Sequence, residues 1–101
     1  MDKVYSFEEI KNILSPVFTS NAVYRAVLFG SYAKGRATDK SDIDIVIDSK
    51  GELLNINFYG LLEEITEKLN KKIDLFEISE IKENSPIFEI IQNEGVLLYA
   101  K

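Results

Sequence analysis

The pattern of hydrophobic and polar positions divides the chain into three predicted helices and four predicted strands. Three segments carry apolar residues at intervals of three and four, the spacing of one helix face: residues 7–18, 54–69 and 86–93. Four short runs are rich in strand-forming residues: residues 22–29, 42–48, 72–78 and 96–100. Helices and strands that alternate in this way predict an α/β fold, with a mixed or parallel sheet of about four strands and helices covering mainly one face.

Capping residues mark the start of two of the predicted helices. Ser6 and Glu9 have the spacing of a capping box ahead of the first helix. Within that helix, Pro16 is expected to cause a kink or a restart, because proline has no N–H group to donate. Ser85 followed by Pro86 is typical of a helix start, with proline at the first helical position.

Length and composition indicate a single globular domain spanning residues 1–101. Hydrophobic residues make up 46% of the chain and charged residues 29%, the balance of a water-soluble fold. The amino terminus lacks the basic and apolar regions of a signal peptide, and no apolar run is long enough to cross a membrane. We therefore expect a cytoplasmic location and no membrane partner.

The absence of two residue types narrows the possible chemistry. The chain has no cysteine and no histidine, which removes disulfides, thiolate nucleophiles and the commonest zinc ligands. Any metal must be held by oxygen atoms, and oxygen ligands favour hard cations such as Mg²⁺ or Mn²⁺.

Charge is distributed unevenly along the chain. The net charge of −5 makes direct binding of a nucleic acid unfavourable. Between residues 25 and 40 the sign reverses, because four cations outnumber one anion and 4 − 1 = +3: Arg25, Lys34, Arg36 and Lys40 against Asp39. A small anionic ligand could be bound in this segment.

Two aspartates on the second predicted strand are candidates for metal binding. Side chains alternate across a strand, so three isoleucines would face the core: Ile43, Ile45 and Ile47. Asp42 and Asp44 then share the opposite face, with Cα atoms roughly 6.5 Å apart. Both carboxylates could reach one cation, or two cations about 4 Å apart. The alternative is an ordinary strand with one polar face.

Asp74 is a third candidate, because it lies in an otherwise apolar predicted strand. A carboxylate beside apolar residues needs a partner, since burying it unpaired is costly. If its strand neighbours the second one, it could join Asp42 and Asp44, and three gathered carboxylates call for a divalent cation. The alternative is an ion pair with one of three nearby cations: Arg25, Lys71 or Lys72.

The turn after the first predicted strand offers a candidate phosphate site. Gly30 permits close approach of the backbone to a ligand, and Ser31 adds free N–H groups and a hydroxyl at the start of the next turn. Lys34 and Arg36 follow as candidate phosphate contacts. Each of these residues alone is equally compatible with an ordinary turn or with solvated loop charge.

Taken together, these residues resemble the nucleotidyltransferase superfamily that includes DNA polymerase β. That superfamily is recognised by Gly-Ser, a spacer, Asp-x-Asp and a distal Asp. The run Gly30-Ser-Tyr-Ala-Lys-Gly35-Arg-Ala-Thr-Asp-Lys-Ser41-Asp-Ile-Asp44 is similar to the stand-alone group called minimal nucleotidyltransferases. The resemblance covers nearly the whole chain, and it implies a polymerase β-like fold with ATP as substrate and two Mg²⁺ ions as cofactor.

The resemblance also implies a role for each candidate residue. Asp42, Asp44 and Asp74 would be the metal ligands and catalytic carboxylates, and Asp74 would draw the proton from the attacking hydroxyl. Gly30 and Ser31 would bind the triphosphate.

Two classes of function follow from the same resemblance. The first is an enzyme that transfers AMP to a tyrosine of a helical HEPN toxin and so acts as an antitoxin. The second is an antitoxin that neutralises its partner by binding alone. The intact motif favours the enzyme. A transferase directed at aminoglycosides or nucleic acid is a weaker third reading, since the small size and negative charge argue against free RNA.

Overall fold

A computed structural model describes residues 3–101 and contains three α-helices and four β-strands. The helices are α1, Phe7–Ser20; α2, Ile56–Leu69; and α3, Pro86–Glu94. The strands are β1, Arg25–Phe29; β2, Ile43–Asp48; β3, Ile73–Glu77; and β4, Val96–Ala100. Every helix and strand predicted from the sequence is present, and a single 3₁₀ turn at Ile78–Glu80, which was not predicted, follows β3.

The four strands form one mixed sheet in the order β3-β2-β1-β4. β1 runs antiparallel to both β2 and β4, whereas β2 and β3 are parallel. The parallel pair is possible because α2 crosses over between β2 and β3. As a result, the start of β2 and the start of β3 lie at the same end of the sheet as the end of β1.

The two faces of the sheet are covered differently. α1 and α2 pack on one face and form the main core with the three isoleucines of β2, which are fully buried as predicted: Ile43, Ile45 and Ile47. On the other face, α3 makes a smaller cluster in which Ile91 packs with Phe29 and Val46. Because α3 covers only part of this second face, the polar side chains of β2 and β3 remain accessible there.

The predicted capping residues act as expected. Ser6 and Glu9 form the reciprocal hydrogen bonds of a capping box, and the hydroxyl of Ser85 accepts from the N–H group of Phe88 at the start of α3. The expectation of a restart at Pro16 was wrong, since α1 is continuous from Phe7 to Ser20.

Two predicted elements begin two or more residues later in the structure. The first strand begins at Arg25 instead of residue 22, because the N–H group of Val23 bonds to the carbonyl of Asn21 and closes a turn there. The helix predicted from residue 54 begins at Ile56, after Asn55 with a φ of 62°. Within residues 3–101, no helix has the length and apolarity needed to span a membrane; the cytoplasmic location stays a prediction.

Candidate active site

Gly30 and Asp44 are in direct contact at the end of the sheet where β1 finishes and β2 begins. Phe29, the last residue of β1, pairs with Asp44 in the ladder, so Gly30 follows immediately beside it. Gly30 has a φ of 75°, and a Cβ atom placed on it would overlap Oδ2 of Asp44 and lie 3.1 Å from Cγ. Only glycine combines this backbone conformation with this close approach.

Asp74 lies directly opposite Asp44 on the neighbouring parallel strand. Adjacent strands are about 4.8 Å apart, and paired residues point to the same face. The two carboxylates therefore meet on the face of the sheet that α1 and α2 leave open. The prediction for Asp74 depended on β2 and β3 being neighbouring strands, and the structure confirms that they are.

Crowding of acidic groups alters the titration of Asp44. Burial, followed by the neighbouring carboxylates of Asp74 and Asp42, raises the pKa of Asp44 to about 6. An isolated aspartate titrates near 3.9. A raised pKa means that the negative charge of Asp44 is unfavourable in the absence of a cation.

Asp42 directly precedes β2 and lies on the same face as Asp44, but it has a different partner. Its Oδ2 lies 3.4 Å from Nζ of Lys72, at the start of the neighbouring strand. Among residues 3–101, no three acidic side chains are preassembled in the geometry of a metal site. A cation bound here would compete with Lys72 for the carboxylate of Asp42.

The ion pairs considered as alternatives for Asp74 do not occur in the described part of the chain. Lys72 pairs with Asp42, and Lys71 donates to the backbone carbonyl of Asp39. Asp74 instead faces Asp44, a carboxylate. A like-charged neighbour is unfavourable without a cation between the two groups.

The donor set fits a hard divalent cation. All the candidate ligands are carboxylate oxygens, which Mg²⁺ prefers. The raised pKa of Asp44 is the expected property of a carboxylate placed next to others for metal binding. Asp42, Asp44 and Asp74 are therefore the residues that could hold such an ion.

Two backbone carbonyl groups accept the hydrogen bonds that close the turn after Gly30. The carbonyl of Gly30 accepts from the N–H groups of Ala33 and Lys34, and that of Ser31 accepts from Arg36. No backbone acceptor within residues 3–101 pairs with the N–H groups of Ser31 and Tyr32. Without a backbone acceptor, these N–H groups could donate to an anion beside Asp44, as a phosphate contact requires.

Lys34 and Arg36 form no ion pair with the three aspartates within residues 3–101. Lys34 forms an ion pair of 2.9 Å with Glu94 at the end of α3, and both side chains are partly exposed. Arg36 is exposed on the same loop. Tyr32 is buried in the main core, so its ring acts in packing.

A buried polar pair at the opposite end of the sheet was not anticipated. Glu77 is only 2% exposed, and its carboxylate accepts hydrogen bonds from the N–H and hydroxyl groups of Ser49 and from the N–H group of Ser79. Burial alone would raise the pKa of Glu77, but these donors outweigh it and lower the pKa. The alternation of Ile73, Leu75 and Glu77 was the available signal, since it places a glutamate on the buried face.

Similarity to known proteins agrees with this geometry. The sequence profile of the family described as "Polymerase beta, Nucleotidyltransferase" matches residues 8–101. The chain is 34% identical over 77 residues to the Methanocaldococcus jannaschii protein named "Putative protein adenylyltransferase MJ0435", and the match covers 75% of this chain and 82% of the relative.

Two solved structures share the fold. One is a toxin–antitoxin complex with AMP-PNP, with a TM-score of 0.78, 24% identity and coverage of 90% of this chain and 73% of the other. The second is a tri-AMPylated HEPN toxin of Shewanella oneidensis in complex with MNT antitoxin, with a TM-score of 0.73, 21% identity and coverage of 94% and 73%. At these identities the likeness establishes the fold. Together with the match over residues 8–101, it places the chain in the polymerase β nucleotidyltransferase family.

Proposed function

We propose that this nucleotidyltransferase transfers the AMP moiety of ATP to a hydroxyl group of a protein, a tyrosine of a HEPN-type toxin, and that it acts as an antitoxin by doing so. The observation that carries the proposal is the placement of Asp44 between Asp74 and Gly30. A pair of carboxylates beside a turn with free N–H groups is what transfer of a nucleotidyl group requires.

Each residue has a defined part in the proposed reaction. The N–H groups of Ser31 and Tyr32 bind the triphosphate and hold it beside Asp44, and Lys34 and Arg36 supply positive charge to the same phosphates. Asp74 accepts the proton of the acceptor hydroxyl. The hydroxyl oxygen then forms a bond to the α-phosphorus, the bond from that phosphorus to the bridging oxygen breaks, and pyrophosphate leaves. Two Mg²⁺ ions held by Asp42, Asp44 and Asp74 would stabilise the charge that develops on the phosphates.

The nature of the acceptor is inferred from the relatives and from charge. One relative is named a protein adenylyltransferase, and one structural neighbour contains an AMPylated HEPN toxin. The net charge of −5 disfavours a nucleic acid as the acceptor. A protein hydroxyl is the acceptor that agrees with both observations.

The proposal is tested by incubating the protein with its partner and Mg-ATP and then measuring the intact mass of the partner. We expect the mass of one or more AMP groups to be added, and EDTA to prevent the addition. The double variant Asp42→Asn, Asp44→Asn should transfer none, whereas Asp39→Asn, an exposed aspartate in the preceding loop, should transfer normally.

Neutralisation of the toxin distinguishes catalysis from simple binding. If the double variant still folds and still suppresses toxicity, the protein acts by binding and the catalytic proposal is wrong. If it folds but loses both transfer and neutralisation, AMP transfer is the mechanism.

A further inference from the structure

An apolar surface lies at the start of α2, near the outer edge of the sheet. Two side chains at the start of α2 are unusually exposed for their type, Ile56 at 81% and Tyr59 at 66%. The ring of Tyr59 packs edge-to-face on Phe58 with centroids 5.8 Å apart. Large apolar side chains held at the surface in a defined arrangement are typical of a contact site for another molecule.

A cavity of about 340 Å³ lies between the start of α2 and the edge of the sheet. Its walls include Leu54, Phe58 and Tyr59 on one side, and Leu75, Glu80 and Ile81 on the other. Leu75 directly follows Asp74 in β3, but its side chain points to the other face of the sheet, so the cavity lies one residue along the strand from Asp74 and on the opposite face. It is large enough to admit an apolar side chain.

The outer edge of β3 carries backbone groups without a strand to pair with. β3 is the terminal strand of the sheet in the described chain. The carbonyl of Lys72 accepts a hydrogen bond from the N–H group of Ile43 in β2. The backbone groups of successive residues point alternately to the two sides of a strand. The N–H and carbonyl groups of Ile73 and Leu75 therefore point outward. An edge of this kind is a template for pairing with another extended chain.

We propose that the polypeptide acceptor binds as an additional strand along the outer edge of β3, with its hydroxyl-bearing residue opposite Asp74 and an apolar residue in the cavity beside Leu75. This inference rests on the proposed function, because it names the docking site for the acceptor of that reaction. Main-chain hydrogen bonds supply much of the affinity, and the cavity sets the register.

The geometry defines the spacing of the two residues in the acceptor. Residues that pair across neighbouring strands point to the same face, and the faces alternate along each strand. A residue opposite Asp74 therefore presents its hydroxyl to the open face, where the carboxylates lie. A residue opposite Leu75 points to the other face, where α2 and the cavity lie. The hydroxyl and the apolar side chain must be separated by an odd number of positions.

Charge adds a second requirement for the acceptor. Glu80 lines the cavity and is exposed, and no ion pair to it is formed within residues 3–101. The chain as a whole carries a net charge of −5. An acceptor segment with a lysine or arginine near its apolar residue is complementary to this rim.

The opposite edge of the sheet provides a matched control. Leu97 in β4 is 48% exposed, in an edge strand with no acidic residue. β4 is separated from β2 by β1, so a strand bound there would lie far from Asp74. Replacing Leu97 by arginine changes exposed apolar surface at an edge, as Tyr59→Arg does, but away from the proposed docking site.

The test compares Tyr59→Arg with Leu97→Arg in transfer of AMP to the partner protein. We expect Tyr59→Arg to raise KM for the acceptor at least tenfold and to leave KM for ATP within twofold of wild type. Leu97→Arg should change neither value. Circular dichroism and thermal melting establish that both variants are folded. Equal effects of the two variants, or no effect of Tyr59→Arg on KM for the acceptor, would overturn the docking site.

Two further measurements test the register and the strand pairing. Ten-residue peptides with one tyrosine, one leucine and flanking lysines should accept AMP better when the spacing is one or three than when it is two. Amide exchange of Leu75 in the complex with the partner should slow at least tenfold. If the wild-type protein transfers AMP but amide exchange at Leu75 does not slow, the added strand is wrong and the proposed function is unaffected. Wild-type protein that transfers no AMP contradicts the proposed function.

Discussion

The backbone of Gly30 is packed against the carboxylate of Asp44, with no room for a side chain between them. This contact joins two parts of the motif that are separated by thirteen residues in the chain. It exists because β1 and β2 are antiparallel neighbours and Phe29 pairs with Asp44. The position of the candidate phosphate turn relative to the candidate metal ligands is therefore set by the sheet itself.

Replacing Gly30 by alanine should abolish AMP transfer while leaving the fold intact. The new Cβ atom would displace the carboxylate of Asp44, and a φ of 75° costs about 1 kcal/mol for alanine. We expect activity to fall at least a hundredfold in an assay of pyrophosphate release with the partner present.

Gly35 provides the control for backbone strain. It also has a positive φ, of 70°, but a Cβ atom there would meet no other atom within 4 Å. Gly35→Ala should lose a similar amount of stability in urea unfolding and keep most of its activity. Equal losses of activity in Gly30→Ala and Gly35→Ala would show that the contact with Asp44 does not determine activity.

The pKa of Asp44 predicts an unusual dependence of stability on pH. Because burial and the neighbouring carboxylates raise this pKa to about 6, the folded chain binds the proton more tightly than the unfolded chain. The stabilising contribution of the protonated group is complete below about pH 4, and it is lost as the pH rises through 6. Metal-free Asp44→Asn should therefore melt about 4 °C above wild type at pH 7.5 and level with it at pH 4.

Magnesium should reverse this order at pH 7.5. An ion held by the carboxylates stabilises the wild type but has a weaker site in Asp44→Asn, so addition of Mg²⁺ should raise Tm only in the former. Asp39→Asn, whose side chain is exposed, should follow the wild type throughout. A wild type and an Asp44→Asn variant with the same melting curve from pH 4 to 7.5 would contradict the raised pKa.

The local patterns that can be read from the sequence predicted the elements and the buried face of β2 well. Hydrophobic spacing defines each helix, and the alternation of aspartate with isoleucine in β2 assigns each side chain to a face. The order of strands in the sheet is not encoded locally. The adjacency of Asp44 and Asp74 was therefore conditional on β2 and β3 being neighbours, which the structure confirms.

Partners of charged side chains were predicted less well, for a physical reason. An ion pair depends on which side chains converge in three dimensions, so Lys72 was considered for Asp74 but lies against Asp42. The pairing of Lys34 with Glu94 also joins distant parts of the chain. The buried Glu77 was detectable from alternation, but Ser49, its partner, is 28 residues away.

Removing the charge of Glu77 should destabilise the fold. In Glu77→Gln, the amide group cannot accept all the hydrogen bonds that Ser49 and Ser79 donate. We expect a loss of about 1–3 kcal/mol in the free energy of unfolding at pH 7. Urea unfolding monitored by circular dichroism measures it.

The effect of Glu77→Gln should shrink in acid. The donors lower the pKa of Glu77, so its contribution to stability is present above the ordinary pKa of glutamate and is lost as the pH falls through the lowered value. Glu83→Gln, at an exposed position, should change stability by less than about 0.5 kcal/mol at any pH. A Glu77→Gln variant as stable as Glu83→Gln at pH 7 would show that the buried pair contributes nothing.

Lys72 should weaken metal binding, because its ammonium group competes with a cation for the carboxylate of Asp42. The two groups are 3.4 Å apart, and the side chain of Lys72 is 74% exposed, so the competition is screened by solvent. An exposed pair of this kind is worth up to about 1 kcal/mol, which corresponds to roughly a fivefold change in affinity. We expect Lys72→Ala to bind Mg²⁺ two- to fivefold more tightly in calorimetric titrations at low salt, and the difference to diminish in 0.5 M salt.

Lys82→Ala removes an exposed lysine that forms no ion pair within residues 3–101, and it should leave the affinity for Mg²⁺ unchanged. Weaker binding by Lys72→Ala would instead mean that the lysine positions Asp42 for the metal.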